Sequence, residues 1–355
     1  MKNIQRILMI VLASCLLGMT GCAKTHDNTE KENEEKAIQI GMSFDTFVIE
    51  RWKRDRDVFV FTAQELGAEV NVQNANGDVA KQVEQIEYFI DSKMDVIVVV
   101  PIDAGSLSAS IKKAQDAGIK VISYDRLAAN AGVDLYISFD NAEVGRLMGQ
   151  AIGNRLLPKD KVLMLCGPLS DNNVPLVSSG FEEQMRKRGI EIADTCYLKE
   201  WKAEYATEYL QKYVGRLDEF DAIMCGNDNI AGAVIHTLAE ERLAGEIYVV
   251  GQDADLEACQ RIVEGTQYMT VYKPVDKMAT KAAKYAVALA KGETLESVDR
   301  TYETVYDGTY MVPYIRLNPI AVTTQNIEPV IIESGFHMKE DVYRNVPDKT
   351  PTEQD

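Results

Sequence analysis

One unit recurs along the chain from residue 37 onward: a short apolar run, a polar position at its end, and a helical period that closes at a glycine. The runs lack polar alternation, which is typical of strands buried on both faces of a parallel sheet. The pattern therefore predicts an α/β fold with doubly wound sheets. The predicted strands are 37–43, 68–73, 95–101, 120–125, 161–167, 190–198, 221–227 and 246–252, and the helices between them include 48–66, 79–90, 105–117, 174–188, 229–243 and 254–264.

The strands fall into two sets of four with similar layout, which predicts two similar lobes. Three further runs, 134–141, 268–274 and 302–317, are predicted to carry the chain from one lobe to the other. Glycines 67, 118, 189 and 265 stand where helix C-caps are expected. The predicted division is 37–139 plus 273–306 for the N-terminal lobe, 140–272 plus 307–340 for the C-terminal lobe, and 341–355 for a polar tail.

The first 36 residues differ in character from the repeating part. A short basic segment, MKNIQR, precedes an apolar segment that is too short to span a membrane comfortably, and Thr20-Gly21-Cys22 follows it. This order resembles a bacterial lipoprotein signal, which predicts cleavage of residues 1–21 and a lipid on Cys22. An ordinary secretory signal or an uncleaved anchor are the alternatives. Residues 22–36 are polar and are predicted to form a disordered tether.

Charge, motifs and cysteine spacing reduce the number of function classes that fit the chain. The net charge of −17 disfavours binding to nucleic acid, because an acidic surface repels phosphates. The sequence has no Walker loop, GxGxxG, GxSxG or HExxH motif, and Asp253 with Asp255 is only a weak metal signal. Cysteines 166, 196, 225 and 259 lack the spacing of a zinc site and are interpreted as small thiols, with any disulfide pairing left open.

Polar residues collect where the predicted strands end. Ligands of open parallel sheets bind beyond the carboxyl ends of the strands, and side chains that make two hydrogen bonds at once suit a ligand with many hydroxyls. Each position has a simpler alternative, since Asp or Asn after a strand often caps the next helix; a cap is favoured for Asp255 and is an equal alternative for Asp253. The strand-end residues are Asp125, Arg126, Asp171, Asn172, Asn173, Asn227, Asp228, Gln252, Asp253 and Lys273.

Three other positions are ambiguous. The segment RDRD at 54–57 is interpreted as a solvated helix face. Trp52 lies on an apolar stripe of its predicted helix, which favours core packing. Trp201 has charged neighbours and is better explained by stacking on the C–H face of a sugar.

Several short motifs, between about residues 37 and 340, resemble the sugar-binding proteins of bacterial ABC importers, and among them the members that bind D-xylose. They include IERWKRDRDVF, QNANGD, SYDR, SDNN, GNDNIAGA, GQDADL and GTQYMTVYKP. The resemblance implies two Rossmann-like lobes joined by a three-strand hinge, the type I periplasmic binding protein fold, closing on one pyranose. The loop LSDNN carries fewer prolines than the family pattern. The ligand-binding residues that the resemblance implies are Arg51, Trp52, Asp125, Arg126, Asp171, Asn173, Trp201, Asn227, Asp253 and Lys273.

The resemblance implies an extracytoplasmic receptor that captures a monosaccharide, with D-xylose expected, and delivers it to an ABC permease without catalysis, cofactor or metal. The lipid on Cys22 would hold it at the membrane. A sugar sensor that presents its closed form to a membrane histidine kinase is the alternative. A transcription repressor of the same fold would need a basic DNA-binding N-terminus, and an enzyme acting on xylosides would show turnover.

Overall fold

The computed structural model describes residues 37–298 and 302–351. The predicted signal peptide, the lipidated Cys22 and the tether lie outside the described residues, as do the last four residues of the predicted tail. The described chain forms two sheets, one of seven strands and one of six. Apolar clusters fill both faces of each sheet, as the unbroken apolar runs predict.

The first sheet has the strand order β11-β12-β5-β4-β3-β1-β2. All its neighbours are parallel except β11, which is antiparallel to β12. Its strands are β1 (Ile38–Phe44), β2 (Ala68–Asn74), β3 (Val96–Val99), β4 (Lys120–Tyr124), β5 (Leu135–Phe139), β11 (Glu303–Tyr306) and β12 (Met311–Leu317). Its helices are α1 (Arg51–Glu65), α2 (Val79–Asp91), α3 (Ser108–Asp116), α9 (Val275–Ala290) and α10 (Leu295–Val298).

The second sheet has the order β13-β10-β9-β8-β6-β7 and is parallel except for β13. Its strands are β6 (Lys161–Cys166), β7 (Glu191–Tyr197), β8 (Ala222–Cys225), β9 (Tyr248–Gln252), β10 (Met269–Tyr272) and β13 (Ile320–Val322). Its helices are α4 (Asn141–Gly153), α5 (Asn173–Arg188), α6 (Ala203–Leu210), α7 (Asp228–Glu240), α8 (Leu256–Glu264) and α11 (Lys339–Val342), and single helical turns lie at Gln211–Tyr213, Leu217–Glu219, Glu328–Ile332 and Pro347–Lys349.

Two glycines bring α4 and α5 together. A Cβ at Gly145 would lie 1.9 Å from the carbonyl oxygen of Val177, and a Cβ at Gly180 would lie 2.1 Å from that of Ala142. Both distances are impossible, so only glycine permits this crossing. The close packing holds the first turn of α5, which points at the other lobe, in a fixed position.

The chain crosses between the sheets three times: between β5 and α4, between β10 and α9, and between β12 and β13. The prediction of 302–317 as one crossing run is wrong, because β12 pairs in parallel with β5, with the rings of Tyr136 and Tyr314 stacked at 4.7 Å. Residues 302–317 are therefore not one crossing run but a hairpin of the first sheet, turned at Asp307, whose Oδ1 accepts from the backbone N–H groups of Thr309 and Tyr310. The crossing falls between Leu317 and Ile320.

The predicted polar tail is also partly wrong. Val342 and Tyr343 are buried in an apolar cluster with residues of α8, and Lys349 donates to the backbone carbonyl of Val263. The predicted helix-ending glycines all have positive φ, between 68° and 99°, which confirms the C-caps. The four cysteines within the described residues are free, and three of them are buried.

Candidate ligand-binding site

A cavity lies between the two lobes, at the carboxyl ends of both sets of parallel strands. It encloses about 480 Å³ of space not filled by protein atoms, its mouth included. All ten residues that the family resemblance implied line this one cavity. The structure thus brings together residues that are as far apart in sequence as Arg51 and Lys273.

The lobes contact each other around this cavity. The backbone N–H of Ala104 donates to the carbonyl oxygen of Ser170 at 2.9 Å, and that of Leu127 donates to the Asn172 side chain at 2.7 Å. The donors belong to the first lobe and the acceptors to the second. The described structure is therefore a closed arrangement.

A buried network of charges forms the wall contributed by the first lobe. Arg51, in the first turn of α1, lies 2.9 Å from Asp125 and donates to Asp55 one helical turn away. Tyr124 also donates to Asp55, which is fully buried. Burial lowers the pKa of Arg51, but the nearby carboxylates of Asp125, Asp55 and Asp253 outweigh it and raise the pKa well above its usual value. The interpretation of RDRD as a solvated face is wrong for Asp55; its four-residue spacing from Arg51 was the available signal.

Asp125 has an unusual backbone as well as a charged environment. Its φ is +62°, although it is not glycine, and such residues in sparsely populated regions are frequent at functional sites. Burial opposes ionisation of its carboxyl, but Arg51, Lys273 and Arg126 together outweigh burial and lower its pKa. Asp125 is therefore a carboxylate at neutral pH, able to accept hydrogen bonds from a ligand.

Arg126 connects the two lobes. Its guanidinium donates to Asp45 at 2.6 Å in its own lobe, and its Nε lies 2.6 Å from Asp171 in the other. Burial lowers the pKa of Arg126, but Asp171 and Asp45 outweigh it and raise the pKa. The pKa of Asp171 is raised by burial, an effect that Arg126 partly offsets. Asp45 was not among the predicted residues.

The first turn of α5 supplies the amide of Asn173. Its Oδ1 accepts from Asn141 at 2.9 Å, and its Nδ2 donates to the backbone oxygen of Asp125 at 3.1 Å. These two hydrogen bonds fix the orientation of the Asn173 amide and connect the two lobes. Asp171 accepts from the backbone N–H of Asn173 and from Trp201 Nε1, so it anchors both the helix start and the indole.

The two tryptophans stand in different settings. Trp52 is 2% exposed and belongs to the core of the first lobe, yet its ring also lines the cavity. The core packing predicted for Trp52 is therefore confirmed, and its contact with a ligand stays a prediction. The ring of Trp201 lies over Gly167 and Gly226 so closely that a Cβ on Gly167 would come within 2.3 Å of it. Glycine at the strand ends thus makes room for the indole.

The remaining predicted residues surround the ends of β8, β9 and β10. Asn227 caps α7 through its Oδ1, which accepts from the backbone N–H of Ile230 at 2.9 Å, while its side chain also lines the cavity. Asp253 has a φ of +101°, and its Oδ1 lies 3.1 Å from Lys273 and 3.8 Å from Arg51. Asp255 occupies the N-cap position of α8, but its side chain makes no capping hydrogen bond.

Four buried polar atoms of the cavity lining have no hydrogen-bond partner among the described residues: Trp52 Nε1, Arg126 Nε, Gln252 Oε1 and Asp253 Oδ1. Two of them lie in ion pairs, since Arg126 Nε is 2.6 Å from Asp171 and Asp253 Oδ1 is 3.1 Å from Lys273. A buried polar group without a partner costs free energy. Two donors and two acceptors without a hydrogen bond in one cavity are suited to a ligand that both donates and accepts. Gln252 was noted as a strand-end residue but was not predicted as a ligand.

The other lining residues are mostly apolar or glycine, and the prediction missed them because they resemble ordinary core. They are Ile49, Cys166, Gly167, Val174, Val177, Ser178, Met224 and Gly226. Among residues 37–298 and 302–351, no group of His, Cys, Asp or Glu side chains could hold a metal ion. No helix in the described part of the chain has the length and apolar character needed to cross a membrane.

Two doubly wound lobes joined by three connections, with one polar cavity between them, are the architecture of type I periplasmic binding proteins. A family model described as a periplasmic binding protein domain matches residues 40–294, and the chain belongs to this family. The predicted fold class is thus confirmed, and family membership implies an extracytoplasmic location.

Two relatives match over nearly the whole chain. The chain is 38% identical to the D-xylose-binding periplasmic protein of Haemophilus influenzae over 337 residues, which cover 94% of this chain and 99% of that protein. It is 35% identical to the D-xylose-binding periplasmic protein of Escherichia coli over 345 residues, 96% of this chain and 100% of that protein. A solved carbohydrate transporter solute binding protein from Chloroflexus aurantiacus, in complex with D-glucose, superposes with a TM-score of 0.77 at 26% identity, covering 85% of this chain and 98% of that one.

Proposed function

We propose that the protein is an extracytoplasmic receptor that binds one monosaccharide, D-xylose, in the cavity between its lobes and presents the closed form to an ABC importer. The cavity itself carries this proposal, since all ten residues implied by the family resemblance line it and it retains buried donors and acceptors without partners. The two D-xylose-binding relatives support the choice of sugar.

The composition of the cavity suits a pyranose. Each sugar hydroxyl donates one hydrogen bond and accepts others, and the lining offers carboxylates that accept, guanidinium and ammonium groups that donate, and amides that do both. Trp52 and Trp201 add flat apolar surfaces that fit the C–H groups of a sugar ring. Micromolar binding is about −8.2 kcal/mol, and a ligand of about ten heavy atoms reaches it only if most of its hydroxyls are matched.

Isothermal titration calorimetry on the protein without its first 36 residues tests the proposal. We expect one saturable site for D-xylose, with weaker binding of D-ribose, L-arabinose and D-glucose. A protein that binds none of these sugars, or that binds D-glucose more tightly than D-xylose, would contradict it. Incubation with D-xylose and aryl xylosides should yield no product, because we propose that the protein binds the sugar without hydrolysing a glycosidic bond.

The membrane attachment is part of the same proposal. We infer from Thr20-Gly21-Cys22 that Cys22 carries a lipid after cleavage of the signal peptide. The Cys22→Ala protein should be released from the membrane fraction and still bind sugar with unchanged affinity, because the cavity is built only from residues beyond position 48. A cleaved Cys22→Ala protein that stays with the membrane would show that another element anchors it.

A further inference from the structure

Gln252 is a buried amide at the centre of the second lobe's contribution to the cavity. It is the last residue of β9, is 5% exposed, and directly precedes Asp253. It lines the cavity together with Asn227, which follows the neighbouring strand β8.

The orientation of the Gln252 amide is determined by a single hydrogen bond. Its Nε2 donates to the backbone oxygen of Gly226, and the peptide of Gly226 is itself held, because its N–H donates to Leu165 at 2.7 Å. Rotating the amide by half a turn would place two acceptor oxygens against each other. The network therefore assigns the oxygen of Gln252 to the opposite side.

That oxygen, Oε1, accepts no hydrogen bond from any described residue although it is buried. The hydroxyl of Ser178, which also lines the cavity, already donates to the Cys166 thiol. A buried acceptor that is held in place and lacks a donor lowers the stability of the ligand-free protein. A ligand hydroxyl that reached it would remove that penalty.

We propose that Gln252 Oε1 accepts a hydrogen bond from one hydroxyl of the bound sugar, so that Gln252 is a specificity-determining residue that selects for a hydroxyl at that ring position. This inference rests on the proposed function. The competing role is positioning alone, in which Gln252 holds Gly226 and, through it, the loop on which the ring of Trp201 lies.

The two roles predict different responses to a change in the sugar. If Gln252 contacts one hydroxyl, the losses of binding free energy from removing the side-chain oxygen and from removing that hydroxyl are not additive. If Gln252 only positions Gly226, removing its amide weakens every sugar by the same factor.

The test is calorimetry of the wild type and of Gln252→Met with D-xylose, its 2-, 3- and 4-deoxy derivatives and 1,5-anhydro-D-xylitol. Methionine keeps the length and removes both amide atoms. We expect Gln252→Met to bind D-xylose about tenfold more weakly than the wild type does. For one of the four analogues, the one that lacks the contacted hydroxyl, the variant and the wild type should have nearly equal affinities. Equal losses for all five sugars, or no loss for D-xylose, would overturn the inference.

Gln267 provides a matched control. It is 1% exposed in the same lobe, and both ends of its amide are bonded, to Arg261, Asp228 and Met269. Gln267→Met should lower the melting temperature and leave the ranking of the five sugars unchanged. Gln252→Leu replaces Gln252→Met if the latter does not fold, with the same two outcomes. A wild type that binds none of the sugars would contradict the proposed function, whereas a wild type that binds D-xylose while Gln252→Met loses all sugars equally would contradict only this inference.

Discussion

Asp125 and Asp253 occupy equivalent places in the two lobes. Each is the residue that follows a buried parallel strand, β4 in one lobe and β9 in the other. Each backbone N–H continues the ladder to the next strand, to Ile137 at 2.8 Å and to Val271 at 2.9 Å. Both residues then take positive φ, +62° and +101°. The same backbone arrangement thus turns a carboxylate into the cavity from each side.

The surroundings of the two carboxylates differ. Asp125 lies 2.9 Å from Arg51 and accepts from Asn173. The Oδ1 of Asp253 is near Lys273 and more distant from Arg51, and it accepts no hydrogen bond from a described residue. The comparison shows that one acid is largely satisfied by protein while its counterpart keeps an open acceptor. The first should serve both folding and binding, and the second mainly binding.

The largest effect is expected from Asp125→Asn and Asp253→Asn. Asparagine is chosen because it tolerates positive φ, so the substitution isolates the loss of charge. Each should weaken D-xylose binding by about 2 kcal/mol or more, since a buried hydroxyl and a buried cation lose a charged partner. Asp125→Asn should also lower the free energy of unfolding, by about 3 kcal/mol, and Asp253→Asn by less. Calorimetry and urea denaturation measure the two quantities.

Either variant binding within threefold of wild type would remove that residue from the site. A greater loss of stability in Asp253→Asn than in Asp125→Asn would reverse the comparison between the lobes.

The tryptophans sharpen the same comparison with a smaller effect. Trp52 belongs to the core of the first lobe, whereas Trp201 remains half-buried even with the lobes in contact. Tryptophan emission should shift saturably on addition of D-xylose, and Trp52→Phe should retain more of the shift than Trp201→Phe. Each variant should lose about 1 kcal/mol of binding free energy. Binding by calorimetry with unchanged emission in the wild type and both variants would show that the indoles do not face the sugar.

The smallest expected effect is a pH dependence of the free energy of unfolding, and it concerns a second buried acid that lies near each cavity carboxylate. Asp55, next to Asp125, is paired with Arg51, whereas the side chain of Asp228 in the other lobe accepts from the neutral side chains of Thr270 and Gln267. Burial raises the pKa of Asp228 to about 7, although the hydrogen bond from Thr270 opposes this.

Because the folded state then binds a proton more tightly than the unfolded chain, this contribution to stability is complete at pH below about 4 and is lost as the pH rises through about 7. The free energy of unfolding should be about 1 kcal/mol higher at pH 6 than at pH 8. Urea denaturation at both pH values measures it, and Asp228→Asn should reduce the difference. The neighbouring Asp255 also contributes, because burial and the charge of Asp228 raise its pKa well above the usual value. An equal pH dependence in Asp228→Asn would assign the effect to another group.

The sequence predicted the polar part of the site because strand ends can be recognised locally and parallel strands bring their carboxyl ends together. It did not predict Asp55, since helical periodicity does not show which face meets a buried arginine. It misplaced β12 because an apolar run does not identify the sheet that it joins. Gln252 was not predicted as a ligand, because the contact proposed for it depends on which of its two amide atoms bonds to the backbone of Gly226.

The hairpin that completes the first sheet has a consequence for the order of folding. β5 is buried along its whole length, yet its outer neighbour β12 is synthesised after the entire second sheet except β13. Until then β5 is an apolar edge with unpaired backbone groups, the kind of edge that promotes association between chains. Five of the six strands of the second sheet, β6 to β10, are consecutive in the chain and can pair before the first sheet is complete. Pulse-labelled hydrogen exchange should therefore find protection between β5 and β12 among the last to appear, so that the lobe made first by the ribosome is the one finished last.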